Sequence, residues 1–199
     1  MANSKRKCKS CGKYIRDFVV VNKSAFCSVE SAVKYSYANK SKGAEIVRKE
    51  QKKKDAVRKK ALMTRSQWYN KYKTVLHQWI MHVRDKDKGC FTCGKTDPSV
   101  KYDCGHRHHA GRGGGDRRRF ILENIHKQCS MSCNQFGSGM PVEYDLALDE
   151  EYGEGFADKL KCVDNYPTLK EQFPTTEDIE NEIKRYREML RAKGLTPNA

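Results

Sequence analysis

Cys90-Phe-Thr-Cys93-Gly94, then Tyr102-Asp103-Cys104-Gly105-His106-Arg107-His108-His109, then Glu123-Asn124-Ile125-His126-Lys127-Gln128-Cys129-Ser-Met-Ser-Cys133-Asn134, is the stretch whose reading decides the fold. Residues 89–139 are rich in Cys, His, Gly and Arg and poor in long apolar periodicity. With so little apolar core, a bound metal is the natural substitute. A CxxC followed by a second close cysteine pair is a zinc signal. Thiolates are soft ligands, and a short knuckle lets two of them reach one tetrahedral Zn²⁺. Gly94 supplies the tight turn that follows such a knuckle. Cys90, Cys93, Cys129 and Cys133 are therefore expected to hold a structural zinc. The second pair is spaced by three residues rather than two, which loosens the match. The alternative is four unligated thiols, which would leave the segment little to fold around.

The chain has 199 residues, with 40 Lys+Arg against 25 Asp+Glu and a net charge of +15. Such a balance favours a polyanionic partner, nucleic acid first. No run approaches the ~20 apolar residues of a membrane span. No apolar stretch near residue 1 resembles a secretory signal. A soluble, intracellular protein is expected. The nine cysteines are an odd number without a signal peptide, which points away from a disulfide framework.

The charge is uneven. Residues 1–60 carry 18 basic and 5 acidic side chains, whereas residues 143–180 carry 3 and 12. Four regions are expected: a Cys-rich module over 1–35, a helical segment over 36–88, the chemical region over 89–142, and a helical region over 143–199. Phe18 to Val21 read as a short strand. Residues 40–61 read as a solvated basic helix, with Lys52, Lys53, Lys54, Lys59 and Lys60 as candidate phosphate contacts. Thr64 to Gln67 matches a capping box. Trp68, Tyr72, Val75, Leu76, Trp79, Ile80 and Val83 then recur at helical spacing, as far as Asp85–Lys88. This stripe is expected to be core, with a dimer surface as its alternative use. His77 and His82 are expected to be structural or at the surface. A last helix starts near Thr175 and carries Ile179, Ile183, Tyr186 and Leu190 on one face, with Gly194 and Pro197 as stop signals. The acidic segment has three open uses: shielding the basic face, mimicking DNA, or binding a partner protein.

Between the cysteine pairs lie a carboxylate, several histidines and an amide. These are the parts of a one-metal phosphodiesterase. Carboxylate and amide oxygens suit a hard Mg²⁺ or Mn²⁺ ion. An imidazole can take a proton from water near neutral pH. Arg107, Arg112, Arg117, Arg118 and Arg119 are candidates to hold flanking phosphates.

Asp103-Cys-Gly-His106, the run from Phe120 through Asn124-Ile-His126-Lys-Gln-Cys129, Cys133-Asn134 and Ser138-Gly139 resemble the NinG (Rap) recombination proteins of lambdoid phages. More broadly they resemble HNH, or treble-clef ββα-metal, endonucleases, which include phage enzymes that resolve branched DNA. Cys8-Lys-Ser-Cys11 and Phe26-Cys27-Ser28 are also similar to the start of NinG proteins. The resemblance covers most of residues 8–140.

That resemblance implies His106 as the water-activating base, Asp103 and Asn134 as ligands of the catalytic metal, and Asn124 as the residue that fixes the hairpin loop. Two alternatives stay open: His108 as base, and His108 or His126 as metal ligands. Asp103 and His106 fall on opposite sides of a regular strand. A bulge at Gly105 would bring them together. At the N-terminus the resemblance implies a fourth cysteine where Ser31 stands. Cys8, Cys11 and Cys27 therefore form a possible second zinc site, completed by Glu30, a histidine from elsewhere or water.

The fold expected is small α+β. A zinc-stabilised ββα-metal, HNH-like core would have its strand–turn–strand over about 100–122 and a helix from near Ser130 with Asn134 at its start. Flanking helices and the N-terminal Cys-rich module complete it. The function expected is metal-dependent cleavage of branched DNA in phage recombination. A homodimer is the natural form for paired cuts. The rivals are a non-catalytic zinc-dependent DNA- or RNA-binding module and an RNA nuclease.

Overall fold

In the computed structural model, which describes residues 4–109, 111 and 116–198, the chain divides at Leu62 into two units. The division falls inside the 36–88 segment. Among the described residues the architecture is mixed α+β, mostly helical, with three two-stranded antiparallel sheets. No helix among them is long and apolar enough to cross a membrane.

The first unit pairs β1 (Arg6–Lys7) with β2 (Tyr14–Ile15) and β3 (Val19–Val21) with β4 (Ser24–Phe26). Helix α1 (Val29–Ala38) starts at a capping box between Ser28 and Ser31, and α2 spans Lys40–Ala61. Its core is Cys8, Phe26 and Ala32, with Ile15 and Tyr35 packed on them. Helix α2 buries no residue. Ile46, Val47 and Val57 lie open to solvent on it. Ala, Lys, Arg and Glu carry this helix by intrinsic propensity, aided by the i,i+4 pairs Glu45–Lys49 and Gln51–Asp55.

The second unit begins where the capping box predicts. Thr64 Oγ1 accepts from the Gln67 N–H, Gln67 Oε1 accepts from the Thr64 N–H, and α3 runs Arg65–Trp79. Its apolar stripe is core. Trp68, Tyr69, Tyr72, Val75, Leu76 and Ile80 are buried against the C-terminal helix Thr176–Ala192 and Phe120. The stripe is therefore not available as a dimer surface. Ile80–Arg84 continues α3 as a π-type turn, closed by Asp85 N–H to Ile80 O at 2.8 Å. The widened turn aims Arg84 and Asp85 at the hairpin. Arg84 forks onto Asp85 at 2.7 and 2.8 Å and donates to Leu122 O at 2.9 Å, while Asp85 accepts from the Lys127 N–H.

The hairpin is β5 (Tyr102–His106) with β6 (Ile125–Cys129). The return strand thus starts after Asn124, later than expected. Turn chemistry at 107–124 does not mark where it resumes. A π-type segment, Ser130–Phe136, follows at once. Asn134 sits within it rather than at its start. Helices α4 (Pro141–Tyr152), α5 (Phe156–Lys161), α6 (Leu169–Gln172) and α7 (Thr176–Ala192) complete the unit. Ile179, Ile183, Tyr186 and Leu190 of α7 are buried, as the periodicity predicts. Burying each such side chain contributes about 1.5–3 kcal/mol.

Candidate functional site

The knuckle at 90–94 forms because its backbone folds back on itself. Gly94 N–H donates to Cys90 O and Cys90 N–H to Lys95 O, both at 2.8 Å, with Gly94 at φ +69°. The end of β6 then delivers Cys129, and the π-type segment delivers Cys133. All four Sγ atoms lie within 4.8 Å of one another. Cys93 and Cys129 Sγ are 3.7 Å apart. A tetrahedron with Zn–S bonds of ~2.3 Å has edges of about 3.8 Å, so the four sulfurs fit a zinc ion. Burial opposes ionisation of Cys90, but the Thr92 hydroxyl and the N–H groups of Cys129, Cys93 and Thr92 pull its thiol down to about 6. A thiol prone to ionise is a ready ligand. Cys8, Cys11 and Cys27 form a second cluster of the same reach.

The hairpin register runs unbroken from Tyr102↔Cys129 to His106↔Ile125. No bulge occurs at Gly105. The glycine is needed there because a Cβ would stand 1.7 Å from Gln128 Oε1. Alternation therefore holds, with Asp103 on one face and Cys104 and His106 on the other. Asp103 accepts from the Ser130 hydroxyl, which also accepts from Gln135 Nε2 at 3.5 Å. Asn134 lies in the same turn of the π-type segment as Ser130. A carboxylate, a hydroxyl and the Gln135 amide thus gather at that end. Among the described residues only the two cysteine clusters bring three or more His, Cys, Asp or Glu donors together. An ion at Asp103 would take one carboxylate and rely on amide, water or phosphate oxygens, as Mg²⁺ commonly does.

His106 turns to α3. Its ring lies 5.3 Å from that of His77, and its Nε2 is 3.2 Å from Arg119 O, so that nitrogen carries the hydrogen. Burial, opposed by the Arg119 carbonyl and reinforced by Lys73 and His109, brings His106 down to about 4. Burial and the His106 charge bring His77 down to about 3. Both rings are neutral at pH 7. Sequence reasoning set His77 aside. A histidine on a buried-stripe helix gave no signal of its neighbour across the fold.

Asn124 is fully buried. Its Oδ1 accepts from the His108 N–H at 2.8 Å, and its Nδ2 donates to His108 O and Arg118 O at 2.9 and 3.0 Å. It clasps both ends of the 107–124 loop. His108 is lowered to about 4, by burial first and then by Arg118 and Arg107. His126 is no metal ligand, because both ring nitrogens are taken. Nδ1 meets Tyr144 Oη at 3.0 Å and Nε2 meets Tyr152 Oη at 2.9 Å, with Phe91 stacked at 3.7 Å. Cys104 is half-buried and donates to His77 O, and Cys162 is exposed.

Among the described residues, the arginines expected on phosphates have partners within the protein. Arg107 forks onto Asp145 at 2.6 and 2.8 Å. Arg118 is buried, forks onto Asp116, and donates to Leu160 O and Lys161 O at 3.1 Å. Arg119 is buried, donates to Asn70 Oδ1 at 2.9 Å and lies over the Phe120 ring. Arg117 pairs with Asp164 and donates to Tyr166 O. The acidic C-terminal region supplies most of these partners, and this use was not foreseen. Arg112 lies outside the described residues. Lys52, Lys53, Lys54, Lys59 and Lys60 are exposed on α2, as expected.

Two cysteine clusters able to hold metal, one of them under a short hairpin and a helical turn, in a strongly basic α+β chain define a metal-knuckle protein. A family model described as the bacteriophage lambda NinG protein matches residues 1–194, and the chain belongs to that family. No curated protein and no solved structure matches it.

Proposed function

We propose that this protein is a metal-dependent DNA endonuclease of the HNH, treble-clef ββα-metal type, acting on branched DNA in phage recombination. The observation that carries the reading is the Asn124 clasp. A hairpin whose loop is held by a buried asparagine and which runs straight into a helical turn is what a ββα-metal core would require, and it supports this reading. That turn follows Cys129 directly and carries Cys133 and Asn134. Zinc on Cys90, Cys93, Cys129 and Cys133 would pin the end of the hairpin and the π-type segment to the knuckle at 90–94. Asp103 and Asn134 would hold Mg²⁺ or Mn²⁺, which would supply charge stabilisation to the scissile phosphate. His106, neutral and with its Nε2 hydrogen on Arg119 O, keeps Nδ1 as the proton acceptor for water. Helix α2 carries ten basic residues over a length of about 33 Å, close to one turn of B-DNA. Its lysines bind the backbone without reading sequence.

One observation favours a second reading, a non-catalytic nucleic-acid-binding module. Asp103 and His106 lie on opposite faces of β5, so a metal-bound water at Asp103 is not beside His106. The experiment separates the two. Branched, linear and RNA substrates are incubated with Mg²⁺ or Mn²⁺ and the wild type, D103A or H106A. Cleavage of the branched DNA by the wild type, lost in both variants, supports the nuclease. Tight binding with no cleavage under any metal supports the module. Undiminished cleavage by H106A removes His106 from its role.

A further inference from the structure

The two cysteine modules share one backbone design. At 8–13, Gly12 N–H donates to Cys8 O at 2.9 Å, Cys8 N–H to Lys13 O at 2.8 Å, and Cys27 N–H to Cys8 Sγ at 3.4 Å. At 90–95, Gly94 N–H donates to Cys90 O, Cys90 N–H to Lys95 O, and Cys129 N–H to Cys90 Sγ at 3.2 Å. Gly12 and Gly94 both adopt positive φ, +77° and +69°. In each module the third cysteine ends a hairpin strand or follows it directly, and a helical segment then begins. Four positions on from Cys129 stands Cys133. Four positions on from Cys27 stands Ser31.

Ser31 sits where a fourth ligand belongs, since its Oγ is 3.3 Å from Cys27 Sγ. The hydroxyl has other work. It donates to Ser28 O at 2.8 Å and accepts from the Ser28 N–H at 3.1 Å, closing the capping box of α1. A neutral hydroxyl committed to a helix cap is a weak zinc ligand. Glu30 Oε2 accepts from the Ser28 hydroxyl at 3.4 Å and so is also turned to the cap. Cys11 and Cys27 are exposed, so the open side of the cluster faces solvent.

We propose that the N-terminal module holds zinc through Cys8, Cys11 and Cys27 alone, with its fourth position open to water or an incoming small thiol. The inference rests on the reading of both clusters as metal sites, and the central four-thiolate site is its internal reference. A closed site of four thiolates is structural, whereas three ligands and an open position make an exchangeable one.

The test uses the full-length chain loaded with zinc and titrated with a chromogenic chelator, with Co²⁺ as a spectroscopic substitute. The wild type should hold two zinc ions and release one early. C11S should lack the early one. S31C should delay it, by at least the roughly tenfold that even an outer-shell partner changes in metal affinity. Its Co²⁺ charge-transfer band, which grows with each Co–S bond, should rise. S31A should leave early release unchanged, since the oxygen is no ligand. Simultaneous release of two zinc ions by the wild type overturns the proposal. So does loss of the early zinc in S31A, or S31C releasing as fast as the wild type. A wild type that binds one zinc, still present in C11S, also ends it. Failure of the central site shows separately, as a C129S chain that keeps two zinc ions.

Discussion

The first unit and the second spend positive charge in opposite ways. On α2, lysine dominates, ten basic residues meet three acidic ones, and no side chain is buried. In the 107–119 loop of the second unit, arginine dominates, and Arg118 and Arg119 are more buried than most apolar residues of a surface helix. Lysine is a strongly hydrated point charge on a flexible stem and stays in water. Arginine is weakly hydrated and offers a planar fork, so it can be buried when carboxylates and carbonyls meet it. Charge of one sign therefore stays in solvent in one unit and serves as internal scaffolding in the other. The cysteine clusters show a parallel contrast, with four thiols brought together in the second unit and three in the first.

The largest expected effect breaks this contrast at the zinc. C129S removes a fully buried ligand at the junction of β6 and the π-type segment. Structural zinc supplies about 10–16 kcal/mol in small metal domains. Cooperative thermal unfolding of the second unit should vanish, while helical circular dichroism from α2 persists. C27S should leave the second unit's transition in place. A C129S chain that melts like the wild type would mean that the hydrophobic cluster of α3 and α7 is sufficient alone.

Next comes the buried arginine. R118A leaves Asp116 without its fork, with the pair only 11% and 15% exposed, and strands the carbonyls of Leu160 and Lys161. Breaking a buried pair by removing one partner costs about 3–5 kcal/mol. The midpoint of denaturant unfolding should fall accordingly. The salt dependence of DNA binding should not change, because this guanidinium does not face solvent. A reduced salt slope with unchanged stability would return Arg118 to the phosphates.

How much of this was legible in the sequence follows from where each residue's partners come from. Helices α3 and α7 were readable because their caps and apolar repeats are local, from Thr64 with Gln67 to Thr175 with Asp178. The central thiolate set was readable because knuckle spacing is a geometric requirement. The fate of the arginines was not. Arg107 finds Asp145 thirty-eight positions on, and Arg118 finds Leu160 forty-two positions on. Nothing within the loop distinguishes a buried fork from a solvated one. His126 was equally opaque, since its cage comes from Tyr144 and Tyr152 on a later helix. The capping role of Ser31 was hidden behind the expectation of a cysteine.

A smaller effect should appear in acid. His126 is held near 3 by burial and by the Arg84 charge, with Asp85 opposing, against about 6.5 when unfolded. Between those values the unfolded chain binds a proton that the folded chain does not. Stability is therefore full above pH 6.5 and lost as pH falls, by up to ~1.4 kcal/mol per pH unit for this group. H126N should lower stability at pH 7 yet flatten the decline between pH 6.5 and 4. His77 and His106 act with the same sign, so some slope should remain. Thiolate protonation and zinc release affect both proteins alike, so the difference in slope isolates His126. Equal slopes would mean that its tyrosine cage opens before the ring is protonated.

The smallest effect on stability is the most informative about the exposed helix. Lys52, Lys53 and Lys54 lie on α2 with no buried neighbour, so K52Q/K53Q/K54Q should shift stability by no more than ~0.5 kcal/mol. If these lysines neutralise phosphates, each releases close to one counterion on binding duplex DNA. The slope of log K against log salt should then become shallower by about 2.7 for the three. Affinity for branched and linear DNA should fall by similar factors, because backbone contacts position without specifying. An unchanged slope would move the phosphate contacts off α2. A loss confined to branched DNA would instead make the helix part of what recognises the junction, and the division between a binding unit and a scaffolded unit would no longer hold.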